Sequence, residues 1–325
     1  SGTTIKNCYR GAYLLGGNMT MTGGTITANT YGVYDDSEKS TMTLSGGSVS
    51  GNTYAGIYNL MTFIMNGGEI CNNGTFERSD FTKYGLNCGG IARCKDVTIT
   101  GGKISGNKGY ICGGIVCCEG TVRISGGVIE ENEGKTAGGG IHQEEGSVLV
   151  EGGRIRNSRA PKGRAVYVEN LFDTSPQLEL NGGEITGNVN TDKNMNTGEI
   201  YTDSSNDVKI GKKGSAYPKV EDTIYLNRKT GKIQLTAAVR GDYNIRVNER
   251  YFTKGDTVVC PDGSSVLSAA SYLTHFTLLS DRYVLARKGT NLVLDGIVFV
   301  NGMADTDGIG ALPNQPRNNF KALIE

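Results

Sequence analysis

A chain of 325 residues holds one large domain or two ordinary ones, and 49 of these residues are glycine. Lysine and arginine number 33 against 33 acidic residues, a balance that offers no electrostatic footprint for nucleic acid or an anionic membrane. Two histidines limit histidine acid–base chemistry, and the lack of tryptophan removes a common sugar-stacking residue.

The first segment already resembles the later ones. Ile5 and then Gly11-Ala12-Tyr13 match later Ile and Gly-Val-Tyr positions, so residues 1–18 read as the back half of an earlier turn. The expectation is a fragment of a longer protein. No leader or membrane-spanning apolar run appears in it, so no membrane insertion is expected of these residues.

From Met19 to Asn188 one unit recurs seven times, with glycine pairs beginning at Gly23, Gly46, Gly67, Gly101, Gly126, Gly152 and Gly182. The spacings of 23, 21, 34, 25, 26 and 30 residues suit one supersecondary turn with loops of varying length. Each unit divides into three strand-like pieces. The first alternates, as in Met42/Leu44, Val97/Ile99 and Leu178/Leu180, which puts one set of side chains inside and the other in water. The second centres on Ile26, Val49, Ile70, Ile104, Ile129, Ile155 and Ile185. The third carries Val33, Ile57, Ile91, Ile115, Ile141, Val166 and Ile200. No helical period interrupts residues 1–205. A unit this small cannot bury its own apolar face, so copies must stack. The fold expected is all-β, a right-handed parallel β-helix solenoid over 1–206 with a C-terminal β-rich cap.

An asparagine recurs three places beyond the second-piece residue: Asn29, Asn52, Asn73, Asn107, Asn132 and Asn188, with Ser158 once in its stead. Asparagine tolerates left-handed backbone, and stacked amides bond one another, so this column reads as a structural ladder. The glycine pairs are corners and not a phosphate loop, since no helix comes after them. From about Asp207 the unit stops while strand signals continue, as in Thr223-Ile224-Tyr225-Leu226 and Leu292-Val293-Leu294. Residues 207–297 read as irregular final turns and the cap that a solenoid end requires. Residues 298–325 read as a linker and the start of a following module.

Of 8 cysteines, Cys88 and Cys112 each precede Gly-Gly-Ile, and Cys94 and Cys118 each fall three residues after that isoleucine. Both pairs are expected as neighbours on adjacent turns, about 4.8 Å apart. They read as packed thiols, with disulfides left open. Cys94, Cys117 and Cys118 lack the spacing of a zinc site.

The Gly-Gly-x-Ile-x-x-Asn units resemble the pectate-lyase-like right-handed parallel β-helix, and more narrowly the adhesin-like surface proteins of gut and rumen bacteria. The strings IYLNRKTGKIQLTAAV (224–239) and FTLLSDRYVLARKGTNLVL (276–294) resemble the closing segment of those modules. FVNGMADTDGIGALPNQPRNNFKALIE (299–325) resembles the opening of another. This resemblance implies an extracellular place, secreted or on a bacterial cell surface. It implies a polysaccharide or host glycan, or a host surface protein, as partner.

The same coil carries enzymes, adhesins and stalks, so function rests on side chains. A lyase or glycoside hydrolase needs clustered carboxylates. The outward second-piece columns read Thr25, Ser48, Glu69, Lys103, Val128, Arg154, Glu184 and Thr27, Ser50, Cys71, Ser105, Glu130, Arg156, Thr186, without acids on successive turns. Asn190-Thr191-Asp192 echoes a polygalacturonase tripeptide without its partners. His142, Gln143, Glu144 and Glu145, opposite Arg159 to Arg164, read as a solvated edge of ordinary ion pairs. No catalytic residue is assigned. No cofactor is expected, and calcium at Asp305 and Asp307 would lack a full oxygen cage.

One column points to binding. Tyr13, Tyr34, Tyr58, Ala92, Val116, His142, Tyr167 and Tyr201 each come directly after the third-piece residue, where alternation directs them outward. Exposed tyrosines at one per turn would form an aromatic strip able to stack on sugars. The alternative is packing against cross-strand neighbours. The reading is a non-catalytic adhesion or glycan-binding module, with a polysaccharide-degrading enzyme and a passive spacer as alternatives.

Overall fold

The structure, a computed structural model, describes residues 2–297 apart from 78–87, 118–119, 145, 170–176, 193–196, 204–206, 264–266 and 268. Cys118, Glu145, residues 298–325 with Asp305 and Asp307, and ten residues of the longest stretch between glycine pairs, 78–87, lie outside the described residues.

The chain is all-β, built from long sheets of 19, 11 and 4 strands whose pairing is parallel until the C-terminal end. Helical turns occur among the described residues only at Ala269–Tyr272 and Leu273–His275. None is long and apolar enough to cross a membrane. Pairing joins like positions of successive copies, an arrangement compatible with the expected β-helix. Met42, Phe63, Val97, Val122, Val148, Leu178, Val208 and Ile233 pair in turn along the first-piece column. Ile26, Val49, Ile70, Ile104, Ile129, Ile155 and Ile185 do so along the second. Val33, Ile57, Ile91, Ile115, Ile141, Val166, Ile200, Ile224 and Ile245 form the third. These residues share one core. Each buried aliphatic side chain contributes about 1.5–3 kcal/mol relative to leaving it exposed.

Parallel pairing runs on past Asp207 through Val208–Ile210, Thr223–Leu226, Tyr243–Val247 and Phe276–Leu278. It stops at a hairpin, Tyr283–Lys288 with Asn291–Gly296, whose second strand lies antiparallel against Thr257–Pro261. Leu292 and Leu294 there join Phe252 and Tyr272 in the core.

The two glycines of a corner do different work. Gly127 sits at φ 74°, which a side chain would strain. At Gly126 a β-carbon would lie 2.2 Å from the Thr100 carbonyl oxygen of the preceding copy.

The asparagines do form a ladder. The backbone N–H and Nδ2 of Asn52 donate to Asn73 Oδ1 at 3.0 and 2.8 Å, and those of Asn73 donate to Asn107 Oδ1 at 3.0 and 3.0 Å. Asn29 to Asn52 and Asn107 to Asn132 repeat the pattern. Ser158 passes only its N–H, to Asn188 Oδ1 at 2.9 Å. The ladder ends on Glu199, whose Oε1 accepts from the N–H and Nδ2 of Asn188 at 3.2 and 3.1 Å.

Periodicity alone does not single out Glu199, yet its slot carries a signal. The residue before each inward Ile or Val is Gly32, Gly56, Gly90, Gly114, Gly140, Ala165 and then Glu199. At Gly32 and Gly56 a β-carbon would come within 2.9 and 3.0 Å of a ladder amide. In that slot a carboxylate reaches the last amide.

Candidate functional site

The tyrosine column exists in register: Tyr13 pairs with Tyr34, Tyr34 with Tyr58, His142 with Tyr167 and Tyr167 with Tyr201. Its expected exposure is corrected over most of its length. Tyr58, Tyr167 and Tyr201 are buried at 5–6% exposure, His142 at 3%, and Ala92 and Val116 at 0%. The chain itself covers them. Tyr31, Ala55, Cys88 and Cys112 pack with Tyr58, Ala92 and Val116 in an outer apolar cluster, and Ala137 packs with Tyr167 and Tyr201 in another. At Gly138 and Gly163 the backbone lies so close over His142 and Tyr167 that a β-carbon would meet each at 2.8 Å. Burial pushes the Tyr58 phenol up to about 12 and the Tyr167 and Tyr201 phenols up as well. Tyr201 stacks on Tyr225 at 4.9 Å, and Tyr34 on Tyr58 at 5.1 Å.

Exposure survives at the first copy. Tyr9 is 63% and Tyr13 44% exposed, while Tyr34 is half-buried. The Arg10 guanidinium stands 5.4, 4.5 and 4.2 Å from the ring centroids of Tyr9, Tyr13 and Tyr34. It is a cation held over aromatic faces. Tyr13 Oη donates to Asp36 Oδ2 at 2.6 Å, which fixes the ring and raises the Tyr13 pKa. Tyr9 meets Tyr31 edge to face at 5.7 Å.

The His142 segment is not a solvated edge. His142, Gln143 and Glu144 are buried. His142 Nε2 lies 3.2 Å from Glu169 Oε2, and its ring meets Tyr167 edge-on at 4.8 Å. Its Nδ1 and both amide atoms of Gln143 are buried without a hydrogen-bond partner. Arg164, expected opposite, pairs instead with Asp222.

Outward carboxylates lie against cations one or two copies away. Glu130 takes Lys103 at 2.7 Å and Arg156 at 2.8 Å. Glu151 takes Lys213 at 2.6 Å and Arg123 at 3.0 Å, and Glu184 takes Arg154 at 3.2 Å. Lys103 and Lys213, the larger influences, hold the Glu130 and Glu151 carboxyls below their usual range. These two groups therefore support the fold above the normal carboxylate pKa, and that support is lost as pH falls through their folded values. Asn190 Oδ1 accepts from the Asp192 N–H at 2.9 Å, a local turn. Among the described residues no three His, Cys, Asp or Glu side chains gather to hold a metal ion.

Cys88 and Cys112 are bridge partners, as spacing required, and both are buried free thiols. The expected partner of Cys94, Cys118, lies outside the described residues. A register shift, with Arg93 at φ 58°, brings Cys94 opposite Cys117.

No protein-family model matches the chain, and no curated protein or solved structure matches it.

Proposed function

We propose that this chain is a right-handed parallel β-helix module of an adhesin-like bacterial surface protein, placed outside the cell. On this reading it binds a polysaccharide or host glycan without cleaving it. The observation that carries the reading is the exposed pair Tyr9 and Tyr13, with the Arg10 guanidinium at 5.4 and 4.5 Å from their ring centroids. Tyrosine joins an apolar face, which rests on the C–H face of a sugar, to a hydroxyl that bonds its rim. Preorganisation matters as much as area, because ordering a free side chain on binding costs about 0.5–1.5 kcal/mol. Tyr13 is already held by Asp36 and Arg10. The outward carboxylates Glu130, Glu151 and Glu184 stand as ion pairs between copies, which favours a scaffold role for them over acid–base work.

The test is a glycan array with the double variant Tyr9→Ala/Tyr13→Ala. Signal on the wild-type ligands should fall at least about tenfold, as expected from losing two aromatic contacts, while the thermal midpoint moves little. Undiminished signal would remove this face, and a wild-type chain silent across a broad array would leave only a spacer.

A further inference from the structure

Eight non-glycine residues with positive φ occur among the described residues. Asn7, Ala28, Asn72, Glu131 and Asn157 form the regular corner, each preceding a residue of the ladder column: Cys8, Asn29, Asn73, Asn132 and Ser158. The other three are Glu38 at 55°, Asn59 at 66° and Arg93 at 58°. All three line one cleft of about 130 Å³. Left-handed backbone suits asparagine but disfavours arginine and glutamate, and such conformations gather where a surface is shaped for a task.

The cleft spans three successive copies at the corner leading out of the third column. Its floor is Leu60 and Cys94, both buried, and Met61 at 36% exposure offers an apolar wall. Arg93 and exposed Lys95 give it two cations against the single carboxylate of Glu38. Asn59 is fixed by its Nδ2, which donates to the Asp35 carbonyl at 2.9 Å. The volume is roughly ten times the 10–15 Å³ that one water needs. It is also joined to the aromatic face. Tyr58, whose phenol feels the Arg93 charge, stacks on Tyr34, and Tyr13 bonds Asp36 two residues before Glu38.

We propose that this cleft is a glycan subsite for an acidic substituent, a carboxylate or sulfate ester, on the oligosaccharide whose rings rest on Tyr9 and Tyr13. Arginine suits both anions because its planar fork donates two parallel hydrogen bonds. Lys95 adds a point charge, Asn59 a polar rim and Met61 a surface for the ring. The inference rests on the glycan-binding reading and adds its ligand chemistry.

Titration calorimetry on the whole chain tests it with neutral, uronic-acid and sulfated oligosaccharides of equal length. At least one acidic probe should bind about tenfold more tightly than the neutral one, a preference that weakens with added salt. Which acidic probe prevails identifies the anion. The preference should vanish in Arg93→Gly, where glycine accepts the left-handed backbone freely, and in Lys95→Glu, which alters an exposed side chain. Equal affinity for neutral and acidic probes, or a preference intact in both variants, overturns the subsite alone. A wild-type chain that binds none of the three overturns the subsite and the glycan reading together. A preference that survives Tyr9→Ala/Tyr13→Ala but not Arg93→Gly supports the cleft and sinks the aromatic face.

Discussion

Gly114→Val is expected to destabilise the chain by about 3 kcal/mol or more, the range of an overpacked core. A β-carbon at Gly114 would lie 2.2 Å from the Gly140 carbonyl oxygen and 3.4 Å from Asn132 Nδ2. The first contact is with backbone of the next copy, and that carbonyl accepts from the Ile115 N–H at 2.9 Å. No rotamer relieves it. The two copies must separate, and the third-column pairing and the amide ladder loosen together. Gly23→Ala is the matched control: a β-carbon there meets nothing within 4 Å and φ is not positive, so it should stay within about 0.5 kcal/mol. Urea midpoints of the two variants decide the matter, and equal midpoints would mean the copies are not in contact at Gly114.

Glu199→Ala should cost about 3 kcal/mol at neutral pH. Its carboxylate is 1% exposed and accepts from Asn188, from the Asp222 N–H at 3.2 Å, and faces Arg164. Truncation leaves the buried Asn188 N–H and the part-buried Asp222 N–H without that acceptor and removes a counter-charge from Arg164, whose Nε already lacks a partner. Burial, the largest influence, holds the Glu199 carboxyl above its usual range despite those bonds. The folded chain therefore keeps this proton longer than the unfolded one. The contribution of Glu199 is full below the unfolded carboxylate pKa and declines as pH rises through the folded value. The Ala penalty should thus be larger at pH 4 than at pH 7, the reverse of the trend for Glu130 and Glu151. A penalty that grows with pH would show that the buried carboxylate is not desolvated.

The repeat makes much of this architecture legible, because inward isoleucines and valines at fixed offsets have one economical arrangement. The glycine corners and the asparagine column arise from backbone sterics and amide chemistry at single positions. The tyrosine column fails for an instructive reason. Alternation places Tyr58 and Tyr167 on the side away from the core, and does so correctly. It cannot show that Cys88, Cys112 and Ala137, from stretches of variable length between the second and third pieces, fold over that side. His142 suffers the same misreading, since its cover comes from Gly138 and not from its own strand. Cys94 is displaced by a single left-handed residue, Arg93, which carries no glycine or asparagine to announce it. Of the column only its first residue, Tyr13, stays strongly exposed among the described residues, with exposed Tyr9 close by, and the cleft at Arg93 lies beyond any periodic pattern.

The stacking of like positions is tested most directly by methyl NMR on a perdeuterated chain labelled at isoleucine δ1 methyls. Cross-peaks should link Ile70 to Ile104, Ile104 to Ile129, Ile129 to Ile155 and Ile155 to Ile185, each pair one copy apart. Cross-peaks that skip copies, or join the second-piece isoleucines out of this order, would contradict it.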